Sequence, residues 1–288
     1  MKSTLYHLHV LSALHVGAGQ GAGIIDLPIV REKATQLPYA PGTGIKGVLR
    51  EEMRPDTGDD SETWEALFGP ARIKDDNGFS GALAVGDAHL LCLPVRSLAG
   101  TFAWATCPFV LARYSREAAA ADMNVPAIPE EFSAESALTT ENSAIIHRDK
   151  VVLEDLDLDA RTGADEWATH IAKMVFSDDQ LWQDMFKARF IVLPDGVFDF
   201  LSETATEVRA RVRINEETRT VAKGALWYEE NLPAETLMYG LLGADRARKG
   251  NATADQMLEA IPSIPTRLQI GGKATVGRGL VRFIKQGA

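Results

Sequence analysis

The residues best placed to do chemistry fall in one window, His15 to Arg50, HVGAGQGAGIIDLPIVREKATQLPYAPGTGIKGVLR. It combines alternating glycines, an isolated carboxylate at Asp26 and a Pro-Gly turn leading to Lys46. Phosphate-handling sites are assembled from such parts. Glycine lets the backbone come close, a lysine supplies a point charge, and a carboxylate can hold a cation. Asp26 is therefore the candidate reactive group and Lys46 the candidate phosphate contact. Ile24, Ile25, Leu27, Ile29 and Val30 surround Asp26 with apolar side chains, and a carboxylate buried that way is costly unless paired or used. Two roles stay open for it: acceptor of backbone N–H groups beside Pro28, or a metal ligand or polarising group aimed at a phosphodiester.

Conventional motifs do not compete with this reading. Gly17–Gly23 gives no GxGxxG in either register, and the Ile24–Arg31 segment that follows, with Pro28 in it, is not the required helix. GTGIKG is not a Walker loop, because its lysine is neither preceded by glycine nor followed by Ser or Thr. HExxH, GxSxG and CxxC are absent, which removes the usual metalloproteases and serine hydrolases. His7 and His9 share a strand face with no carboxylate nearby in sequence. Glu166 and His170, four apart, read as a surface pair.

The elements that must position these groups are readable from periodicity. Residues 4–12 alternate as a first strand, and 24–31 form an edge or irregular segment because of Pro28. Thr43 is placed to cap a helix running towards Met53, and Ser61 a short one ending at Phe68. A turn over Asp75–Gly78 leads to a strand over 82–95, an apolar run over 101–106 and a helix begun by Pro108. An acidic linker precedes a hairpin or paired strand over 143–154, helices over 165–176 and 178–188, and a short strand over 190–193. In Val208–Ile214, VRARVRI, arginines alternate with small or apolar residues, so Arg209, Arg211 and Arg213 share one strand face. The turn at Asn215–Thr218 returns the chain along 219–228 to make a hairpin with a basic face. Residues 235–242, a helix from Thr253, and strands over 266–270 and 280–284 complete the pattern. Hairpins mixed with irregular helices imply α+β.

The 288 residues suffice for one large domain or two, with a sizeable core. The formal charge of −10 argues, as a sum, against nucleic-acid binding. Its distribution does not: residues 117–141 hold six acids and no Lys or Arg, whereas 266–288 hold five basic residues and no acid. Segregated charge can present a basic face to a polyanion. Two cysteines, Cys92 and Cys107, are too few for a disulfide framework or zinc site and read as buried thiols in a reducing cytoplasm. The N-terminal residues make a poor signal peptide and no window is apolar enough for a membrane span, so no membrane is expected.

Several blocks resemble the backbone subunit of type III-B CRISPR effectors, the Cmr complex, in the RAMP superfamily. They are IDLPIVREKATQLPYAPGTGIKGVLR, ALAVGDAHLLCLPVRSLAGTFAWATCPFVLARY, GALWYEENLP and the glycine loop LQIGGKATVGRGLVRF, in order across residues 5–283. The segment Gly42–Gly47 departs from the family's Gly-Ser-Ser-Leu-Lys-Gly pattern, with Thr43 keeping one hydroxyl. The resemblance implies an α+β fold: one domain over 1–288 with a modified RRM (ferredoxin-like) core. It also implies a mostly helical insertion over about 107–190 and a projecting β-hairpin thumb over about 205–232. Several copies would stack as a filament along a guide RNA beside other Cmr-complex subunits. Single-stranded target RNA would be cut at regular intervals next to the thumbs, as a part of antiviral defence. Asp26 falls where the family has the carboxylate for divalent-metal-dependent cleavage, with Mg or Mn expected. His15 and either Glu229 or Glu230 fall where supporting active-site residues are expected. Thr43, Lys46, Arg50, Arg209, Arg211, Arg213, Gly272, Lys273, Gly277 and Arg278 form the implied RNA-binding set. The rival implication is an inert structural subunit that only binds RNA.

Overall fold

The computed structural model describes the chain except residues 22, 56–61, 71–77, 131, 264–265 and 288, and the backbone alone of Lys223. The cap expected at Ser61 and most of the turn expected over 75–78 lie outside the described residues.

In chain order the first half runs β1 (Lys2–Val10), β2 (Tyr39–Ala40), α1 (Gly42–Glu52), α2 (Glu62–Phe68), β3 (Leu83–Val85), β4 (Ala88–Arg96), β5 (Phe102–Thr106) and α3 (Pro108–Ala120). Residues 121–192 give β6 (Ser136–Thr139), β7 (Ile146–His147), β8 (Lys150–Leu153), β9 (Leu156–Thr162), α4 (Asp165–Val175), α5 (Gln180–Lys187) and β10 (Phe190–Val192). Then follow α6 (Asp195–Thr204), β11 (Glu207–Ile214), β12 (Val221–Asn231), β13 (Leu237–Ala244), α7 (Ala254–Glu259), β14 (Thr266–Gln269) and β15 (Leu280–Lys285).

Most strands join one 13-stranded mixed sheet whose main path is β14-β15-β1-β13-β4-β5-β10-β6-β9-β8-β7. β1 is central, antiparallel to β13 on one side and β15 on the other, and its residues 4–10 are buried. The α+β class expected from the sequence is present. Helix α3 lies over this strand, with the Tyr114 hydroxyl 3.1 Å from His7 Nε2. Trp104 of β5 and Phe186 of α5 sit 5.1 Å apart between ring centres, with Phe176 stacked on Trp182 at 5.7 Å, so the helices are fastened by aromatic burial. His9 finds its carboxylate far away in sequence, with Nε2 2.6 Å from Glu235 Oε2. Cys92 and Cys107 are free, buried thiols.

Two local expectations are corrected. Thr43 does not cap α1: the helix begins one residue earlier, at Gly42, with Pro41 in the cap position and no side-chain cap bond. The Gly42 N–H donates instead to Asp87 Oδ1 at 2.7 Å. That approach is open only to glycine, since a Cβ at position 42 would sit 2.2 Å from the Val85 carbonyl oxygen. The strand expected over 82–95 is broken at the same place into β3 and β4, because residues 86–87 turn towards α1.

Among the described residues only β11 and β12 stand apart, as a separate two-stranded antiparallel hairpin. The register puts Arg209 opposite Glu229 and Arg211 opposite Trp227, so the alternation in VRARVRI becomes one polar and one apolar face. On the apolar face Val208, Val212, Ile214, Val221, Leu226 and Tyr228 are each between 40% and 54% exposed. A shift between Val212 and Ile214 bends the ribbon near its tip.

Candidate active site at the base of the hairpin

The segment 24–31 makes no regular strand; it is laid along the base of β12 by a series of single bonds. Tyr228 N–H donates to Asp26 Oδ2 at 2.8 Å, Leu27 N–H to Tyr228 O at 3.0 Å, and Glu230 N–H to Leu27 O at 3.0 Å. On its other side Ala18 N–H donates to Pro28 O at 3.0 Å and Val30 N–H to Val16 O at 2.8 Å. Of the apolar residues around Asp26, Ile29 reaches the core, whereas Ile24 is 93% exposed and Asp26 itself is exposed. The expectation of a carboxylate enclosed by apolar side chains is thus corrected. Pro28 and the glycine turn prevent a ladder, so the apolar run does not bury as a strand would. Asp26 accepts a backbone N–H through one oxygen, and Oδ1 has no hydrogen-bond partner among the described residues.

Asp26 opens onto a cleft of about 440 Å³ lined also by Gln20, Leu27, Leu226, Trp227 and Lys273. The C-terminal glycine loop thereby meets the Asp26 loop. Lys273 and Gly277, both left-handed (φ 69° and 78°), bracket the short 3₁₀ turn Ala274–Val276 that presents it. Lys273 Nζ donates to Glu229 Oε1 at 2.9 Å, which also accepts from Trp227 Nε1 at 2.7 Å. Burial alone would push the Glu229 carboxyl up. The Trp227 and Lys273 donors and the Arg211 charge outweigh it and hold the group below the usual carboxylate range.

His15 is buried, and its Nδ1 lies 2.7 Å from the carbonyl oxygen of Glu230. A carbonyl only accepts, so Nδ1 carries the proton and Nε2 keeps a lone pair in the neutral ring. Gly272 N–H holds the His15 carbonyl at 2.9 Å. A Cβ on Gly17 would sit 2.8 Å from Nε2. Three loops, the neighbouring 15–18 and 24–31 and the remote 271–278, therefore converge on β12 at Trp227–Glu230.

At the base of the polar face, Arg209, Arg211, Lys273 and Arg278 surround Glu207 and Glu229, two more positive charges than negative in that group. Arg278 is buried, with one guanidinium nitrogen lacking a partner among the described residues. Burial, followed by repulsion from Arg209, pushes it down from the ordinary arginine value. Arg209 and Arg213 are exposed, as are Gly272 and Gly277.

Thr43, Lys46 and Arg50 form a second group, on α1 and outside that cleft. Thr43 is exposed. Lys46 Nζ donates to Leu83 O at 2.7 Å, and burial with the neighbouring Arg50 pushes its ammonium down. Arg50 donates to Phe68 O at 3.3 Å and Pro70 O at 2.9 Å and lies 4.5 Å over the Trp64 ring, so it is largely committed to the fold. Sequence reasoning missed Arg31, whose partner Glu230 is 199 positions away. The described residues contain no group of three His, Cys, Asp or Glu able to hold a metal, and no helix long and apolar enough to cross a membrane.

The chain matches the RAMP superfamily model over residues 7–282. It is 35% identical over 288 residues to the CRISPR system Cmr endoribonuclease Cmr4 of Pyrococcus furiosus, covering 98% of this chain and 95% of that protein. A shorter stretch, 60 residues or 20% of the chain, is 42% identical to the Cms endoribonuclease Csm3 of Mycobacterium tuberculosis, covering 25% of that protein. Among solved structures, oligomeric Cmr4 from Pyrococcus furiosus superposes with a TM-score of 0.77 at 28% identity, covering 100% of this chain and 99% of that one. A chain of the type III-B Cmr-beta complex bound to cognate target RNA shares the fold, with a TM-score of 0.74 at 15% identity over 99% of this chain and 97% of that one. With the family model spanning nearly the whole sequence and a full-length relative of this identity, the chain belongs to the RAMP superfamily and, within it, to the Cmr4 family.

Proposed function

We propose that the chain is the guide-RNA-binding backbone subunit of a type III-B CRISPR effector, and that it cuts target RNA at regular intervals within the assembled complex. The observation that carries this is the convergence at the hairpin base: the Asp26 carboxylate, one oxygen free, shares a cleft with Lys273 while His15 is held by the next residues of β12. In this reading the β11–β12 hairpin is the thumb and the β1-centred part of the sheet is the modified RRM core. Repeated copies along the guide set the interval between cuts, and an assembly that pairs a guide with transcripts works in the cytoplasm.

RNA carries its own nucleophile, so cleavage needs a 2′-OH in line with the phosphorus and the developing charge neutralised. The thumb wedges a base pair apart and frees that geometry at the cleft. Lys273 and the surplus positive charge on the polar hairpin face stabilise the phosphorane, and His15 Nε2 is available to take a proton. Arg209, Arg211, Arg213 and Arg278 contact phosphates, with Gly272 and Gly277 letting the strand come close. Thr43 and the two N–H groups that Lys46 has left meet the guide backbone, while Arg50 shapes that surface by fixing residues 68–70. Glu229 keeps Lys273 in place, and Glu230 ties down the Asp26 loop.

A divalent ion fits this donor set only loosely. Asp26 is exposed and its Oδ1 is free to ligate, but the described residues lining its cleft add no second carboxylate, so RNA and water would supply the other contacts. When bound, such an ion supplies Lewis acidity at the phosphate. The deciding experiment is Asp26→Ala in the assembled effector. Assembly and target binding persist and cleavage is lost; unchanged cleavage would leave the inert backbone subunit as the correct reading.

A further inference from the structure

The DLPIVREK block carries a cation that no role above absorbs. Arg31 is only 16% exposed at its side chain. Its NH2 nitrogen donates to Glu230 Oε1 at 2.7 Å and to Ser202 O at 3.1 Å, and NH1 donates to Gln36 O at 2.9 Å. One guanidinium thus joins the end of the Asp26 loop, α6 and the base of β12. The Glu230 carboxylate it neutralises is 4% exposed. Its Oε1 also accepts from Thr206 Oγ1 at 3.0 Å, and its Oε2 accepts the Ile29 N–H at 3.1 Å. The Glu230 carbonyl is the acceptor that fixes His15 Nδ1.

We infer that Arg31 is a positioning residue for the Asp26 and His15 site, acting through Glu230; the inference rests on the role proposed for Asp26. A buried carboxylate stripped of its counter-charge takes up a proton or moves towards water. Either change weakens the acceptor for Ile29 N–H, three residues from Asp26, and disturbs the strand residue that carries the acceptor for His15. Direct phosphate contact by Arg31 is the weaker explanation, because its side chain is largely buried and three of its five N–H donors are committed to carbonyls and Glu230. Lysine cannot replace it: one ammonium does not span Ser202, Gln36 and Glu230 as the planar fork does.

The test compares single-turnover cleavage and target affinity in the guide-loaded effector carrying Asp26→Ala, Arg31→Met, Arg31→Lys, or Arg31→Met with Glu230→Gln. Arg31→Met should slow cleavage on the order of 10²-fold, the size expected when reacting groups are misplaced by about 1 Å, with target affinity unchanged. Arg31→Lys should fall between that and the unmodified protein. The double variant should recover part of the rate, because glutamine keeps an acceptor for Ile29 without a buried charge. If Arg31→Met does not assemble, Arg31→Lys decides: a lowered rate at unchanged affinity supports the role, and an unaltered rate overturns it. A wild-type rate in Arg31→Met beside an inactive Asp26→Ala overturns the Arg31 role alone. So does a loss of rate matched by an equal loss of target affinity. Cleavage by Asp26→Ala at the unmodified rate takes down both readings.

Discussion

Gly17→Ala is the sharpest probe of how His15 is held. Gly17 does not have a left-handed backbone, so alanine fits its φ without strain, yet the added Cβ would lie 2.8 Å from His15 Nε2. Ordinary contact begins near 3.4 Å, so the ring must retreat by about 0.6 Å. It cannot do so freely, because Nδ1 is tied at 2.7 Å to the Glu230 carbonyl and Gly272 holds the His15 backbone. Losing that bond while leaving a buried acceptor costs about 1–3 kcal/mol, and overpacking without losing it costs a similar amount. Either outcome displaces Nε2 by a sizeable fraction of an ångström, which translates to a roughly 10- to 100-fold slower cleavage step. Gly23→Ala supplies the control, since a Cβ there meets nothing within 4 Å. The assay is single-turnover cleavage by the assembled effector, with the melting temperature of the isolated subunit measured alongside. Gly17→Ala should lose both rate and a few degrees of stability while Gly23→Ala loses neither. A Gly17→Ala effector that cleaves at the unmodified rate, with the stability loss present, would refute the placement of His15 Nε2 at the working face.

Two further outcomes follow from charge. Lys46→Glu should weaken guide binding and filament formation and lower the slope of log affinity against log salt by about 1, one phosphate contact's counterion release; an unchanged slope removes Lys46 from the guide surface. Glu32 is opposed by burial but bonded by Arg113 and Thr35 and attracted by Arg113 and His89, which together lower its pKa to about 2 from 4.5. Its folded value lies below the unfolded one, so its contribution to stability is present above about pH 4.5 and is lost as pH falls towards 2. Glu32→Gln should therefore melt at a lower temperature than the parent at pH 7, with the gap closing across that acid window.

Local elements were legible where one face repeats. The VRARVRI alternation specified β11 and its polar face, and Thr253 with Gln256 forms the capping box that starts α7. α6 was hidden because its apolar pattern is short and interrupted by Gly196, and β9 because aspartates fill its solvent-facing positions. Asp26 was found for an incomplete reason. Apolar neighbours drew attention to it, but its placement depends on a backbone N–H of Tyr228, 202 positions away, and on open solvent. Thr43 was misjudged because the carboxylate of a distant aspartate, Asp87, accepts the Gly42 N–H in place of a local cap. Arg31 could have been flagged only by asking what a lone arginine beside an apolar run must neutralise.

The hairpin also bears on how the protein should be handled. Its two strands have no neighbour in the large sheet, and six apolar side chains on one face remain about half exposed. Such a ribbon is marginal alone and adhesive to its own kind. Ammonium sulfate and similar salts screen the arginine face and strengthen the attraction of the apolar one, so they drive the free subunit to clump. Moderate chloride with a bound RNA should keep it dispersed, which makes co-expression with the guide the rational route to a homogeneous preparation.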